Sequence, residues 1–152
     1  MRDILSGKYI AALLSLIATL GASPYPTEPA PATANALLTE FRQAVNAHDK
    51  SAVDALVYWG TADEWSRQMT ETVLEIMERE TIASIHLAPL DASSNKTATM
   101  PNGKKYGPSI PPVYRVIVDY VRTPGVTKDE SSFTIGKAHD GWYIIAIAPL
   151  KQ

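Results

Sequence analysis

Apolar residues in the first half of the chain recur at helical spacing. Over residues 35–48 they fall three and four positions apart, which predicts a helix with one buried stripe. Asp49 or Ser51 is placed to cap a short second helix. Residues 61–64, Thr-Ala-Asp-Glu, have the spacing of a capping box, so a third helix is predicted to begin there. The expected buried stripe of this third helix consists of Trp65, Met69, Val73, Ile76 and Met77.

From residue 81 onward the pattern changes to the short alternations of β-strands. The segment 81–90 is partly β-branched and is stopped by Pro89, which predicts a first strand. The clearest alternation lies at 113–122, and two more strands are predicted at 131–138 and 142–148. Helices first and strands afterwards predict an α+β fold, with three N-terminal helices packed on one face of a mostly antiparallel sheet.

Two turn signals lie between the predicted strands. Asp140-Gly141 precedes the last strand and predicts a tight hairpin turn with positive backbone angles. Residues 91–112 form a long loop rich in proline and glycine, in which Asn102-Gly103 favours a small hairpin. A binding loop or lid and a disordered segment are the two alternatives that this composition leaves open.

The N-terminus has the features of a secretory signal peptide. A weakly basic start precedes an apolar stretch at 10–22, whose 13 residues are too few for a transmembrane helix, which needs ~20. We therefore predict a signal peptide at 1–22, a proline- and alanine-rich linker at 23–34 and a single domain at 35–152. An uncleaved membrane-proximal anchor is the alternative, and this segment is the one expected contact with a membrane.

Composition excludes several function classes. With 14 basic and 16 acidic residues, the chain lacks the basic field that nucleic-acid binding needs, so no such partner is expected. The absence of cysteine excludes disulfides, thiolate catalysis and cysteine zinc sites. Small exported eukaryotic domains usually have disulfides, which favours the bacterial periplasm as the location. The three histidines are far apart and no cofactor fingerprint is present, so neither metal nor cofactor is expected.

Two segments carry a resemblance to a known fold family. FRQAVNAHDKSAVDAL, from Phe41, resembles the opening helices of the nuclear transport factor 2-like superfamily, and FTIGKAHDGWYIIAI, from Phe133, resembles its closing hairpin. The resemblance covers residues 36–150 and implies a cone, in which a curved sheet of four or more strands encloses a pocket with the helices. This family includes ketosteroid isomerases, polyketide cyclases, ligand binders and assembly domains, so it does not select one function. Dimers through the outer sheet face are common in this fold, so a homodimer is compatible with it.

Asp119 and His86 are the candidate general bases. Asp119 lies in the middle of a strand between Ile117 and Val121, and isomerases of the resembled family use acidic residues inside the cavity. The alternative is that this face points outward and that Asp119 and Arg115 pair with neighbouring strands, because the tyrosine and valine face is the more apolar one. His86 lies near the end of the first strand, where it is either a base or a hydrogen-bonded structural residue.

Aromatic residues are the candidate ligand contacts, with membership of the core as the alternative. They are Tyr58, Trp59, Trp65, Tyr114 and Tyr120.

Two hypotheses follow for function. The first is a non-catalytic exported domain that binds a small apolar ligand or a protein partner through the cone. The second is a cofactor-free isomerase, dehydratase or cyclase with Asp119 or His86 as base. We prefer the first, because catalysis needs at least two polar groups that converge in one cavity.

Overall fold

The computed structural model describes residues 30–121, 124 and 130–151. The predicted signal peptide and residues 23–29 of the predicted linker therefore lie outside the described residues. Within these ranges, no helix combines the length and the apolar character that are needed to cross a bilayer.

Three helices form the N-terminal part of the described chain, and each begins at a side-chain cap. Thr33, Asp49 and Asp63 each accept a hydrogen bond from the backbone N–H three residues further on. The predicted cap at Asp49 is confirmed. The third helix begins after Asp63 rather than Thr61, because the Asp63 carboxylate accepts from both the N–H and the hydroxyl of Ser66. The helices are α1 (Ala34–Asn46), α2 (Lys50–Ala55) and α3 (Glu64–Glu78).

Eight strands in the described ranges form two sheets. They are β1 (Val57–Tyr58), β2 (Ile82–Ala88), β3 (Ala98–Thr99), β4 (Lys105–Pro108), β5 (Tyr114–Tyr120), β6 (Glu130–Ala138), β7 (Gly141–Ile145) and β8 (Ile147–Pro149). The larger sheet has the order β1-β7-β6-β5-β2 and the smaller one has the order β3-β4-β8. All pairs are antiparallel except β1 with β7, which is parallel. The α+β class is confirmed, with a mixed five-stranded sheet and a second small sheet in addition to what was predicted.

The second sheet arises from two departures from the expected strands. The predicted last strand is divided, because β7 ends at Ile145 and β8, which begins at Ile147, belongs to the other sheet. The predicted long loop contains the β3–β4 hairpin, and β4 pairs with β8. Gly103 at the hairpin tip has a φ of 78°, a conformation that glycine adopts without steric cost. The small hairpin expected at Asn102-Gly103 is therefore present.

The turn between β6 and β7 differs from its prediction. Its two residues are His139 and Asp140, and neither they nor Gly141 have a positive φ. The predicted reason for a glycine here was therefore wrong. A Cβ atom at Gly141 would lie 2.6 Å from the Cβ of Ala30, so glycine is needed for the close approach of the N-terminal segment. The Asp140 carboxylate accepts a hydrogen bond from the Tyr143 hydroxyl at 2.8 Å and belongs to the hairpin.

The helices cover one face of the larger sheet. On β5, Val116, Val118 and Tyr120 point towards the helices and are buried in the core, as expected for the tyrosine and valine face. Ile117 and Asp119 point to the opposite face. The core residues with no exposed surface are Leu37, Phe41, Val45, Val53, Val116, Val118, Ile135 and Ala146.

The orientation of α3 corrects the expected stripe. Its buried residues are Ser66, Leu74 and Met77, of which Met77 was expected. Met69, Val73 and Ile76, which were expected to be buried, are exposed by 43%, 47% and 58%. The inward stripe is shifted by one residue, which corresponds to about 100° around the helix axis. The start of α3 explains the shift, because Asp63 holds Ser66 and the Trp65 ring packs against Tyr106 at a centroid distance of 4.7 Å.

Candidate ligand-binding site

An apolar pocket lies between α3 and the larger sheet. It has a volume of about 190 Å³. Because two of the lining residues, Met69 and Val73, are also partly exposed, the pocket is accessible from solvent. Five residues of α3 and four of β6, β7 and β8 line it, namely Met69, Thr70, Val73, Leu74, Met77, Phe133, Ile144, Ile145 and Ile147.

The pocket exists because the strands diverge beside β6. β7 pairs with β6 only from Ile135 to Ala138, so the half of β6 that contains Phe133 pairs with β5 alone. Phe133 packs instead against Phe41 of α1, with ring centroids 5.0 Å apart. The rotated α3 covers this gap incompletely, and a lined cavity remains where a neighbouring strand would otherwise lie.

An exposed row of apolar side chains on α3 borders the pocket. Met69, Val73 and Ile76 follow one another along one side of the helix and remain partly exposed. A contiguous apolar row at a surface is typical of a binding site, since scattered single residues are the norm elsewhere. The unbranched thioether of Met69 adapts to ligands of different shape. The pocket, with Met69 and Val73 at its edge, forms the candidate site, and Ile76 continues the row beyond it.

The two candidate bases lie on the other side of the sheet. Asp119 and His86 share one face of β5 and β2, opposite the face that the helices cover. The Ser84 hydroxyl donates to Asp119 Oδ2 at 2.5 Å, and His86 lies across from Ile117. His86 is exposed and Asp119 is partly exposed. The structure thus brings the two residues near each other, and neither lines the apolar pocket.

Two of the five candidate aromatic contacts flank the start of α3. The Trp59 indole N–H donates to the Asp54 carbonyl at 3.3 Å, and the Arg67 guanidinium lies 5.1 Å from the centroid of the same ring. Trp65 is half-buried, and its ring packs against Tyr106. Both tryptophans therefore fix the connection that leads into α3.

The other three candidates lie on the larger sheet. Tyr58 packs edge-on against Tyr143 at 5.7 Å, and Tyr114 stacks on Trp142 at 5.8 Å. Tyr120 is buried beside the helices, and burial raises its pKa. None of the five aromatic residues lines the apolar pocket.

The residues that do line the pocket were not singled out from the sequence. In the sequence, Phe133, Ile145 and Ile147 are ordinary apolar positions of alternating strands. No proline or glycine marks the break between β7 and β8 at Ala146. The absence of a neighbouring strand beside Phe133 results from long-range strand pairing, which a local pattern does not show. The one available signal was the apolar row of Met69 and Val73, which the helical periodicity assigned to the core.

An ion-pair cluster joins α2 to α3. Lys50 Nζ lies 3.8 Å from Asp54 Oδ2 and 3.7 Å from Glu75 Oε1. Desolvation raises the pKa of both Asp54 and Glu78. Within the described part of the chain, no group of three or more histidine, cysteine, aspartate and glutamate side chains is arranged to hold a metal ion. The pair of Lys50 with Glu75 links α2 to α3.

Comparison with known proteins found no match. No protein-family model matches the chain, and no curated protein and no solved structure is significantly similar to it. The geometry of the apolar pocket is therefore the basis for a function.

Proposed function

We propose that this protein is an exported, non-catalytic domain that binds a small apolar molecule in the pocket between α3 and the larger sheet. The observation that supports this most strongly is the lining, in which eight of nine residues are apolar and the ninth is Thr70. Ligand sites are typically concave and mostly apolar, with a few polar groups. Each Å² of apolar surface that a ligand buries there contributes roughly 25 cal/mol.

The proposal includes a nuclear transport factor 2-like cone and export to a bacterial periplasm. Three N-terminal helices that cover one face of the sheet, with an apolar pocket between the two layers, support the cone. The apolar stretch at 10–22 and the absence of cysteine support export. Mass spectrometry of the protein from a periplasmic fraction tests this, with an N-terminus between residues 22 and 35 as the expected result. A full-length cytoplasmic protein would contradict it.

A cofactor-free isomerase, dehydratase or cyclase has less support. Neither Asp119 nor His86 lines the apolar pocket, so the pocket offers a bound substrate no candidate base. A protein partner is the stronger second candidate. Ile76 extends the exposed apolar row beyond the pocket, and such rows also form the contact surfaces of protein partners.

Fluorescence titration with N-phenyl-1-naphthylamine, a neutral apolar probe, tests the proposed function. Val73 lines the pocket, and Ile76, one turn further along α3, does not. Val73→Glu places a carboxylate at the pocket and is expected to weaken binding by roughly tenfold or more, because an unpaired charge opposes burial of an apolar ligand. Ile76→Glu is the matched control and is expected to leave the affinity within about twofold.

The two variants separate the pocket from the surface beside it. Equal weakening by Val73→Glu and Ile76→Glu would place the probe on the exposed row and reject the pocket. Weakening by Ile76→Glu alone would favour the protein-partner candidate, with the row itself as the contact surface.

A further inference from the structure

A second cavity adjoins the apolar pocket. It has a volume of about 250 Å³. Phe133, Ile145 and Ile147 line both cavities, so the two meet where β7 and β8 diverge from β6. The rest of its wall is different in character, because it includes the side chains of Arg115 and Lys96. The apolar pocket and this second cavity, the cationic chamber, therefore share one wall.

Arg115 supplies a positive charge that is held in place. Its Nη1 donates to the Asp91 carboxylate, and 32% of the Arg115 side chain remains exposed. Its Nε–H is buried and has no acceptor among the described residues. A guanidinium has five N–H donors, so this side chain keeps hydrogen-bonding capacity that Asp91 does not use.

Lys96, Ser132 and Thr134 also line the cationic chamber. Lys96 is exposed, and no carboxylate of the described chain lies within salt-bridge distance of it. Thr134 pairs directly with Arg115 across β5 and β6, and Ser132 lies next to it on the same face. Two cations against the single carboxylate of Asp91 leave one net positive charge, which is complementary to a ligand with one negative charge.

We infer that the two cavities form one site for an amphipathic carboxylate, whose alkyl chain occupies the apolar pocket and whose carboxylate lies between Arg115 and Lys96. The alkyl part of this inference rests on the proposed function, and the headgroup is its addition. The shared wall of Phe133, Ile145 and Ile147 is apolar, so it suits the carbon atoms next to the carboxylate. A phosphate dianion matches the net charge of the chamber less well.

Calorimetric titration with octanoate and with 1-octanol tests the headgroup, since the two probes have the same chain length and differ in charge. Octanoate is expected to bind roughly ten- to a hundredfold more tightly, the range of charge-assisted hydrogen bonds. Arg115→Gln is expected to remove this difference by weakening octanoate alone. Lys137→Gln is the matched control, because Lys137 is an exposed cation of β6 that lines neither cavity.

The outcomes distinguish this inference from the proposed function. Equal affinities of octanoate and 1-octanol for the natural protein would reject the carboxylate site and leave the apolar pocket in place. Absence of binding by both probes would reject the proposed function. An equal effect of Arg115→Gln and Lys137→Gln would also reject the site, because it would show a diffuse charge effect.

A second variant keeps the test decisive if Arg115→Gln fails to fold after Asp91 loses its partner. Lys96→Gln removes the other cation from an exposed position that has no ion pair in the described chain. It is expected to weaken octanoate severalfold and to leave 1-octanol unchanged. Unchanged octanoate affinity in this variant would overturn the inference.

Discussion

His48 has a φ of 54°, the one positive value among the described non-glycine residues. It follows α1, where the N–H groups of His48 and Asp49 donate to the carbonyls of Val45 and Ala44, both at 2.9 Å. This is the Schellman pattern, in which glycine is the usual residue. The histidine is held there by its ring, whose Nδ1–H donates to the Glu78 carbonyl at 2.5 Å. One side chain thus connects the ends of α1 and α3.

Substitution of His48 separates the backbone effect from the ring contact. His48→Val loses the hydrogen bond and places a β-branched residue in the left-handed region, so the free energy of unfolding is expected to fall by about 2–3 kcal/mol. His48→Gly loses the hydrogen bond but relieves the backbone, and is expected to stay within about 1 kcal/mol. Urea unfolding measures both. Equal losses would show that the ring contact alone matters.

The stability of the loop after β2 is expected to depend on pH through Asp91. Hydrogen bonds from Ser93 and Ser94, with the positive charge of Arg115, lower the pKa of Asp91 to about 2. A carboxyl group whose pKa is lower in the folded state stabilises the protein above its unfolded pKa of ~3.9 and loses that effect as the pH falls through the folded pKa.

Asp91→Asn is therefore expected to be less stable than the natural protein at pH 7, with a difference that shrinks below pH ~4. Urea unfolding between pH 7 and pH 2.5 measures it. Ser93→Ala removes the largest cause of the shift and raises the folded pKa, so the loss should be smaller and should be complete at a higher pH than in the natural protein. A difference that does not change with pH would contradict this account.

At the scale of elements, the β3–β4 hairpin is fastened to the start of α3. The Tyr106 hydroxyl donates to Asp63 Oδ2 at 3.0 Å, and Lys104 Nζ lies 3.9 Å from the same oxygen. Tyr106 also packs against Trp65. The hydrogen bonds from Ser66 and from Tyr106, together with the charge of Lys104, lower the pKa of Asp63.

Trp65→Ala tests the strength of this attachment. Full burial of a tryptophan would make this substitution cost ~3–5 kcal/mol, but Trp65 is half-buried, so we expect a loss of about 2 kcal/mol in the free energy of unfolding. Tyr106→Phe keeps the ring contact and loses the hydrogen bond to Asp63, and should cost less. Thermal unfolding measures both variants. A loss below ~0.5 kcal/mol for Trp65→Ala would show that the hairpin is held by other contacts.

Most elements could be predicted from the sequence because their signals are local. Caps such as Asp49 and the alternation at 113–122 act within a few residues, and the structure has a helix and a strand there. The Asn102-Gly103 turn is equally local. The rotation of α3 was not predictable, because several rotations fit its apolar positions and the contact of Trp65 with Tyr106 selects one.

The candidate site was harder to predict than the fold. Its walls come from α3, β6, β7 and β8, which are distant in sequence and meet only through strand pairing. Asp119 and His86 were correctly placed on strands, but the face that each presents depends on which side the helices cover. On β5, the more apolar tyrosine and valine face correctly indicated the side that the helices cover. No comparable pattern indicated the gap beside Phe133.

At the scale of the whole molecule, the two ends of the domain are joined. The Trp142 N–H donates to the Pro31 carbonyl at 2.9 Å, and Gly141 permits the close approach of Ala30. Ala30 and Pro31 of the N-terminal segment thus lie against the start of β7 in the β6–β7 hairpin.

Gly141→Ala is expected to push this segment away, since the new Cβ would lie 2.6 Å from Ala30 Cβ and 2.8 Å from the Pro31 carbonyl oxygen. We expect a loss of about 1–3 kcal/mol in stability, as for overpacking, and faster hydrogen exchange at the Trp142 amide. Gly103→Ala is the control, because it strains a distant hairpin tip where no atom lies within 4 Å of a new Cβ. Unchanged exchange at Trp142 in Gly141→Ala would show that the contact is not formed in solution.

The parallel pairing of β1 with β7 also delays completion of the larger sheet while the chain is being synthesised. Val57 and Tyr58 can pair only after Ile144 and Ile145, which lie far along the chain from them, have been synthesised. At roughly 5–20 residues per second, a ribosome needs on the order of ten seconds to extend from one strand to the other. Until then the larger sheet lacks β7 and β1 has no strand to pair with, so the newly made chain exposes core residues long enough for chaperones to bind it.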